Sequence, residues 1–431
     1  MRIAVVALGK IGLPLAVQFA SSGHEVVGVD VNQATVDKIN TGQEPFPGEA
    51  ELQERLSELI PEGRLRATTD YSEAIPHADA IVIVAPVFVD EQTSEPDFTY
   101  MDSATKSLAE HLTAGTLVVY ETTLPVGTTR NRYKPMIEEI SGLTEGVDFH
   151  LAYSPERVLT GRVFADLQKY PKLIGALSAE GTRRVRNFYE AVLQFDERPD
   201  LSRANGVWDL GTTEASEMAK LAETTYRDVN IGLANQFGLF ASANGIDVHK
   251  VIEACNSQPY SHIHRPGIAV GGHCIPVYPR LYLSTDPEAE IVRTARDLNA
   301  SMPERMVARA EALLGSLEGL RAVVLGAAYR GGVKETAFSG VFPIMDALRA
   351  RGATVRVHDP LYSDDELRGL GLEPYDMGDP VDLVVLHTDH AEYREISPAD
   401  LPGVKLCVDG RAATDPARWV GTPRIVVGAA E

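Results

Sequence analysis

Arg2-Ile-Ala-Val-Val-Ala7-Leu-Gly9-Lys-Ile-Gly12 opens the chain, and Glu25-Val-Val-Gly-Val-Asp30 follows it. The first stretch reads as a short β-rich run, a tight turn over Gly9 to Gly12, and a helix over Leu13 to Ser22 closed by Gly23. The second reads as a strand that ends on an acid. Glycines in such a turn let backbone approach a pyrophosphate, and the N-terminus of the following helix offers amide donors and a partial positive charge. Asp30 stands 21 residues after Gly9, where a carboxylate accepts hydrogen bonds from a ribose diol and repels a 2′-phosphate. Strand, turn, helix and acid in this order favour NAD over NADP. One position departs from the dinucleotide fingerprint: Ala7 stands where its first glycine belongs.

Further apolar runs at Ala80 to Ala85 and Thr116 to Tyr120 alternate with helical segments, the grammar of a parallel sheet covered on both faces. The same grammar returns after Arg321. Ala322 to Gly326, a helix near Phe342 to Arg351 and Thr354 to Asp359 repeat the opening strand, helix and acid-ended strand, and Asp382 to Leu386 and Lys405 to Asp409 add two more strands. Between the halves, Thr213 to Asn244 lacks proline and spaces Ala215, Met218, Leu221, Ile231 and Phe237 as a helix does, with Gly245 as its stop and a second helix over Val248 to Asn256. The expected class is α/β: two Rossmann-like doubly wound domains joined by a long central helix and a small helical domain. The expected boundaries are 1–198 for a dinucleotide domain, 199–302 for the helical middle and 303–431 for the second Rossmann-like domain.

At 431 residues the chain has room for roughly three domains at about 150 residues each. Its 44% hydrophobic and 23% charged residues are those of an ordinary globular protein. A formal charge of −21 opposes nucleic acid and anionic membranes on average, so any phosphate must be held by a local site. The longest apolar run, Ala80 to Val89, is too short to span a bilayer and contains Pro86. Cys255, Cys274 and Cys407 are too few and too far apart for a disulfide scaffold or a zinc knuckle, which points to reduced thiols in a cytoplasm and to no metal.

Two of these cysteines sit in an apolar strand (Cys407) and a helix (Cys255) and read as inert core thiols. Cys274 differs. It lies in Gly271-Gly-His-Cys-Ile-Pro276, where glycines leave room for a substrate carbon to reach the sulfur, against the plainer alternative of one more buried thiol. Lys220, on the long helix, has the charge to lower a thiol pKa or steady an oxyanion, although an isolated lysine is usually a solvated surface charge. Arg265, just before the glycine loop, is a candidate phosphate contact. His262 and His264 lack a carboxylate partner at metal-binding spacing, and Arg183-Arg184-Val-Arg186 reads as a solvated helix face.

Taken in order, Gly9-Lys-Ile-Gly-Leu-Pro14, Val29-Asp-Val-Asn32, Glu121-Thr-Thr-Leu-Pro-Val-Gly127, Tyr153-Ser-Pro-Glu-Arg-Val-Leu-Thr-Gly161, Lys220-Leu-Ala-Glu-Thr-Thr-Tyr-Arg-Asp-Val-Asn230 and Gly271-Gly-His-Cys274 resemble the UDP-glucose/GDP-mannose dehydrogenase family over essentially the whole chain. Pro155 to Leu159 and Arg227 to Asn230 are most similar to the branch acting on UDP-N-acetylhexosamines such as UDP-N-acetylmannosamine. The resemblance implies NAD as cofactor, a helical homodimer core built on the central helix, and a C-terminal domain holding the nucleotide of a UDP-linked sugar. It implies oxidation of the sugar C6 hydroxyl in two hydride transfers, through a thiohemiacetal and a thioester on the cysteine. Carried onto this chain, Cys274 is the nucleophile, Lys220 the oxyanion partner with Thr224 beside it, Thr123 a water or substrate anchor and Glu156 the acid/base. Cofactor contacts are expected at Ala7, Gly9, Lys10, Ile11, Gly12, Asp30, Pro86 and Thr123, and substrate contacts at Arg157, Arg227, Asn230, Arg265, Gly271 and Gly272.

The pattern also breaks. Tyr278 stands where the family has an aspartate four residues after the cysteine, Thr224 where it has an asparagine, Ala337 where it has an arginine and Val87 where it has a threonine. A tyrosine is a poor base near neutral pH. Full oxidation, arrest at the aldehyde, action on a different nucleotide-linked substrate and binding without turnover therefore stay open on the sequence.

Overall fold

Ile3, Val5 and Val6 are β-branched, and the run Arg2–Val6 forms a strand buried from Ile3 onward, with a parallel neighbour on each side. Burial on both faces is why this strand reads as a continuous apolar run, with no polar alternation. The sheet around it has eight strands, in the spatial order Val207–Asp209, Lys172–Ala176, His150–Tyr153, Leu117–Tyr120, Ala80–Ile83, Arg2–Val6, Glu25–Val29 and Leu65–Thr68. All neighbours run parallel except His150–Tyr153 and Lys172–Ala176, which are antiparallel. The computed structural model describes residues 1–90, 93 and 95–429. They fall into two units, residues 1–222 and 223–431.

In the second unit Thr354–His358, Arg321–Leu325, Leu383–Leu386, Leu406–Asp409 and Arg424–Val426 form a five-stranded sheet, parallel throughout. The α/β class and both Rossmann-like sheets agree with the sequence. The strands Leu65–Thr68, His150–Tyr153, Lys172–Ala176, Val207–Asp209 and Arg424–Val426 are additions to it. The central helix runs Thr213–Ala243, and the second helix runs Val248–Asn256. Thirty-one residues at about 1.5 Å each make a rod about 46 Å long. It stops at Gly245, whose φ of +66° an L side chain resists, while Ile246 N–H bonds back to the Ala241 carbonyl. The change from one unit to the other falls inside this helix, and Met302 falls inside the helix Glu290–Leu314.

The two halves share one backbone device. The residue after the first strand is left-handed in each: Ala7 at φ +73° and Gly326 at φ +103°. An acid one strand later then holds the turn. Leu8 N–H donates to Asp30 Oδ2 at 2.7 Å, and Ala327 N–H donates to Asp359 Oδ2 at 2.8 Å. Sequence comparison marks Ala7 as a missing glycine; the conformation shows that the glycine geometry is kept with a methyl group in it. Because the left-handed region costs an L residue roughly 1–2 kcal/mol and glycine loses part of that in chain entropy, Ala7→Gly is expected to raise the unfolding free energy by about 0.5–1 kcal/mol. The check is a higher urea midpoint at unchanged slope.

Candidate active site

Around the first turn, Gly12 is required by close approach. A Cβ there would lie 1.9 Å from the Ala7 carbonyl oxygen, whereas one on Gly9 would meet nothing within 4 Å. So Gly12 closes the turn and Gly9 opens onto an uncrowded cradle at the N-terminus of the helix Gly12–Ser21. Half-buried Asp30 accepts from Leu8 N–H through Oδ2 and from Asn32 N–H at 2.9 Å through Oδ1. Each oxygen keeps lone pairs for a diol. An open glycine cradle, a helix N-terminus and an oriented carboxylate fit a dinucleotide with a free ribose 2′-hydroxyl. Lys10 and Pro86 are exposed and Ile11 packs on the core, while Val87 is buried.

The matching acid of the second half is differently employed. Asp359 is buried, takes Ala327 and Ala328 N–H on Oδ2 and Leu361 N–H on Oδ1, and has His390 Nε2 at 3.1 Å. Burial works against its charge, but these bonds hold its pKa below the ordinary value. It is a loop clamp.

At the other sheet strands of the first unit, Lys220 Nζ donates to the Glu156 carbonyl oxygen at 2.6 Å. Lys220 is 8% exposed, so the surface-charge alternative fails. The Glu156 carboxylate is itself held: Oε1 accepts from the N–H groups of Arg157 (2.6 Å) and Val158 (3.1 Å), and Oε2 from Lys172 Nζ at 2.8 Å. Lys172 Nζ also donates to Glu121 Oε2 at 2.7 Å, and the Tyr189 hydroxyl donates to Glu121 Oε1 at 2.5 Å. Burial pushes Glu121 up to about 7 despite the Lys172 charge. Burial would raise Glu156 too, but the ammonium and the hydrogen bonds win and hold it below the ordinary range.

Thr123, expected as an anchor, is buried, and its neighbour Thr122 donates to the Ala85 carbonyl at 2.7 Å. The loop that carries both is fastened to the central helix by Glu217. Its carboxylate accepts from Gly127 N–H (2.6 Å), Thr129 N–H (2.9 Å) and Thr129 Oγ1 (2.6 Å), and burial pushes it up to about 7. Glu217 precedes Lys220 by one turn, so one helix face holds both strand-end loops. Arg157 donates to the Pro171 carbonyl at 3.3 Å. Arg183 and Arg184 pair with Glu180, as a solvated helix face does.

In the second unit Cys274 is exposed, Cys255 half-buried and Cys407 buried, with burial raising the Cys407 thiol well above its ordinary value. Only Cys407 is thus the core thiol expected of both; Cys255 sits on the open side of a surface helix, where Val251, Glu253 and Ala254 are exposed. The glycines beside Cys274 have a packing reason that the sequence did not suggest. A Cβ on Gly271 would lie 2.7 Å from Tyr329 Cβ and 2.9 Å from the Phe338 carbonyl, and Gly272, at φ +93°, lies against the Tyr329 ring. The Gly272 N–H donates to the Ala337 carbonyl at 2.9 Å. Thus Tyr329 and Phe338 occupy the space the glycines leave, and the loop is held while Cys274 stays open. Tyr278, half-buried, begins the helix Tyr278–Thr285 and donates its N–H to the Cys274 carbonyl at 2.9 Å.

Asn230 has its amide engaged. It accepts from His264 N–H and donates to the His262 carbonyl, both at 3.0 Å, which ties the segment before Arg265 to the central helix. Arg227 and Arg265 are exposed, His262 is exposed and His264 half-buried, and Thr224 is buried. Beneath them runs a network absent from the sequence reading. Asp228 Oδ1 accepts from Arg296 Nη1 and Asn299 Nδ2, both at 2.8 Å; Asn235 joins Asn299 at 2.8 Å and accepts from Gly267 N–H at 2.9 Å. Asp228 and Asn235 stand seven residues apart on the buried side of the helix, beside other buried polar residues such as Thr224 and Thr225.

The NAD binding domain of the UDP-glucose/GDP-mannose dehydrogenase family matches residues 1–193, its central domain residues 214–301 and its UDP binding domain residues 323–416. The UDP-N-acetyl-D-mannosamine dehydrogenase of Pyrococcus horikoshii is 36% identical over 95% of this chain and 95% of its own. That of Escherichia coli (strain K12) is 32% identical over 92% and 95%. The solved UDP-D-ManNAc dehydrogenase structure from Pyrococcus horikoshii superposes with a TM-score of 0.86 at 33% identity, covering 99% of both chains. With the cofactor turn, the nucleotide half and these matches in agreement, the chain belongs to the UDP-glucose/GDP-mannose dehydrogenase family and is an NAD-dependent nucleotide-sugar dehydrogenase.

Proposed function

We propose that the chain oxidises the C6 hydroxyl of a UDP-N-acetylhexosamine, with UDP-N-acetylmannosamine the first substrate to try, to the uronate. The observation that carries this reading is the exposed Cys274 in its braced glycine loop, in a chain similar over 95% of its length to a UDP-N-acetyl-D-mannosamine dehydrogenase. Bound NAD supplies the hydride acceptor. The Cys274 thiolate adds to the aldehyde carbon to give a thiohemiacetal, whose loss of a second hydride leaves a thioester for water to cleave. Lys220, fixed by the Glu156 carbonyl, supplies positive charge for the developing oxyanion, and Glu156 accepts protons. Overall, one alcohol, one water and two NAD yield one carboxylate, two NADH and three protons.

The remaining contacts of the proposal follow the chemistry of their positions. Gly9, Gly12 and Asp30 hold the cofactor, while exposed Arg227 and Arg265 are free in charge type to meet the diphosphate. The homodimer is supported by the central helix, where Tyr226, Leu233, Phe237 and Phe240 form one exposed stripe. The three-part division at 198 and 302 belongs to the same proposal.

The test is purified protein with NAD and a panel of UDP-sugars, following NADH and product mass. Two NADH per sugar and a uronate support the reading; one NADH marks arrest at the aldehyde, and none overturns it. For the cofactor, Asp30→Ala is expected to raise the KM for NAD about 10- to 100-fold, roughly the weight of one hydrogen bond to a charged group, and to narrow the preference over NADP. Steady-state kinetics with both cofactors decides this.

A further inference from the structure

Lys172, absent from every motif quoted above, sits at the centre of a buried charge cluster in the first unit. The sheet topology explains how it gets there. Because Lys172–Ala176 runs antiparallel to His150–Tyr153, its first residue lies at the sheet edge where the neighbouring strands end. The pairing Tyr153 with Gly175, continued outward, sets Glu156 opposite Lys172, and Glu121 follows the next strand, Leu117–Tyr120. Carboxyl ends of strands are where open α/β sheets bind ligands. Lys172 Nζ is 2.7 Å from Glu121 and 2.8 Å from Glu156, and lies 4.9 Å from the centre of the Tyr189 ring. The side chains of Lys172 and Glu121 are 5% and 0% exposed, and that of Glu156 10%.

We propose that Lys172 is a positioning residue of the dehydrogenase reaction: clamped between Glu121 and Glu156, it fixes the loop whose carbonyl anchors Lys220 and keeps the Glu156 carboxylate ionised and aimed. The inference rests on the proposed function for its kinetic readout, but not for its structural one. The groups facing Glu156 are Lys172 from its strand, Glu121 from the neighbouring strand end, Tyr189 through Glu121 from the helix Ala179–Val192, and Lys220 from the central helix. Among the three side chains bonded to one another, Glu121, Glu156 and Lys172, two carboxylates share one ammonium and are one proton short of neutrality, with Lys220 meeting the Glu156 carbonyl beside them, and burial favours neutrality. Glu121, pushed up to about 7, is the member that takes that proton, which leaves Glu156 as the ionised one.

Lys172→Met keeps length and removes the charge. Both carboxylates then lose their cation and face each other, so their pKa values rise and ionised Glu156 is reached only at higher pH. The expected result is a kcat lower by about 10- to 100-fold, KM for NAD and sugar within about twofold, and an acid limb of the kcat profile moved up by about one pH unit or more. Lys172→Arg, which restores the charge, is expected to return the limb toward its original position. An unchanged limb in folded Lys172→Met overturns the proposal. If Lys172→Met does not fold, the double variant Lys172→Met with Glu121→Gln removes the opposed charges and leaves Glu156 alone; its limb must also move up. A second readout needs no turnover. The infrared band of a protonated buried carboxyl, titrating near neutral pH in the parent and separated from that of Glu217 by its loss in Glu121→Gln, is expected to persist to higher pH in Lys172→Met. Absence of NADH from the parent on every sugar defeats the proposed function alone, while a band that titrates identically in parent and Lys172→Met defeats the role of Lys172.

Discussion

Replacement of Cys274 by alanine is expected to lower NADH production by about 10³-fold or more, with UDP and NAD affinities unchanged within twofold. The size follows from chemistry: without a sulfur the aldehyde is not captured as a thiohemiacetal, so the second hydride transfer loses its route and no longer draws the uphill first oxidation forward. The side chain is exposed and small, so its removal leaves no cavity. Cys274→Ser distinguishes nucleophilicity from shape, since a hydroxyl occupies nearly the same volume but is a far weaker nucleophile at neutral pH. Rapid-quench mass analysis completes the test: the parent carries a sugar adduct during turnover and Cys274→Ala carries none. Equal turnover in parent and alanine variant removes the covalent route.

The second large effect belongs to Gly12. Alanine there places a carbon 1.9 Å from the Ala7 carbonyl oxygen, a distance no rotamer relieves because both atoms belong to the backbone turn. Gly12→Ala is therefore expected to cost about 3 kcal/mol of stability and to raise the NAD dissociation constant about 100-fold as the turn shifts. Gly9→Ala separates the two causes. Its added carbon meets no protein atom, so stability stays within about 0.5 kcal/mol while NAD affinity falls. Urea unfolding and NAD calorimetry on the pair give the answer. Unchanged NAD affinity in Gly9→Ala would show that the cradle is not where the cofactor lies.

How far the sequence leads can be judged at particular residues. Strands such as Arg2–Val6 and Leu383–Leu386 were legible because burial on both faces writes an unbroken apolar run. Lys172–Ala176 was not, since a lysine, a glycine and an alanine in five residues carry little β-preference, and only the neighbouring strands make it one. The antiparallel turn there has no local signal at all. At the site, Asp30 and Gly12 were readable from spacing, because the turn they serve is local. Cys274 and Lys220 stood out as candidates from the glycine loop and the long helix, Glu156 needed the family resemblance, and Lys172 escaped both routes. A lone lysine in a sequence reads as a solvated charge, and what makes this one different is the pair of carboxylates brought to it from strands 51 and 16 residues away. The glycines at 271 and 272 were legible as special, but their packing reason was not: the Tyr329 side chain, far along the sequence, lies where a Cβ on either would go.

The unequal exposure of the three sulfurs has a consequence for handling the protein. Peroxide reaches an open thiol first and carries it from sulfenic to sulfinic acid, of which only the former is readily reversed by small thiols. Cys407 is shielded inside its strand, so damage in aerated buffer begins at Cys274, and preparations can lose turnover while the sheets stay folded.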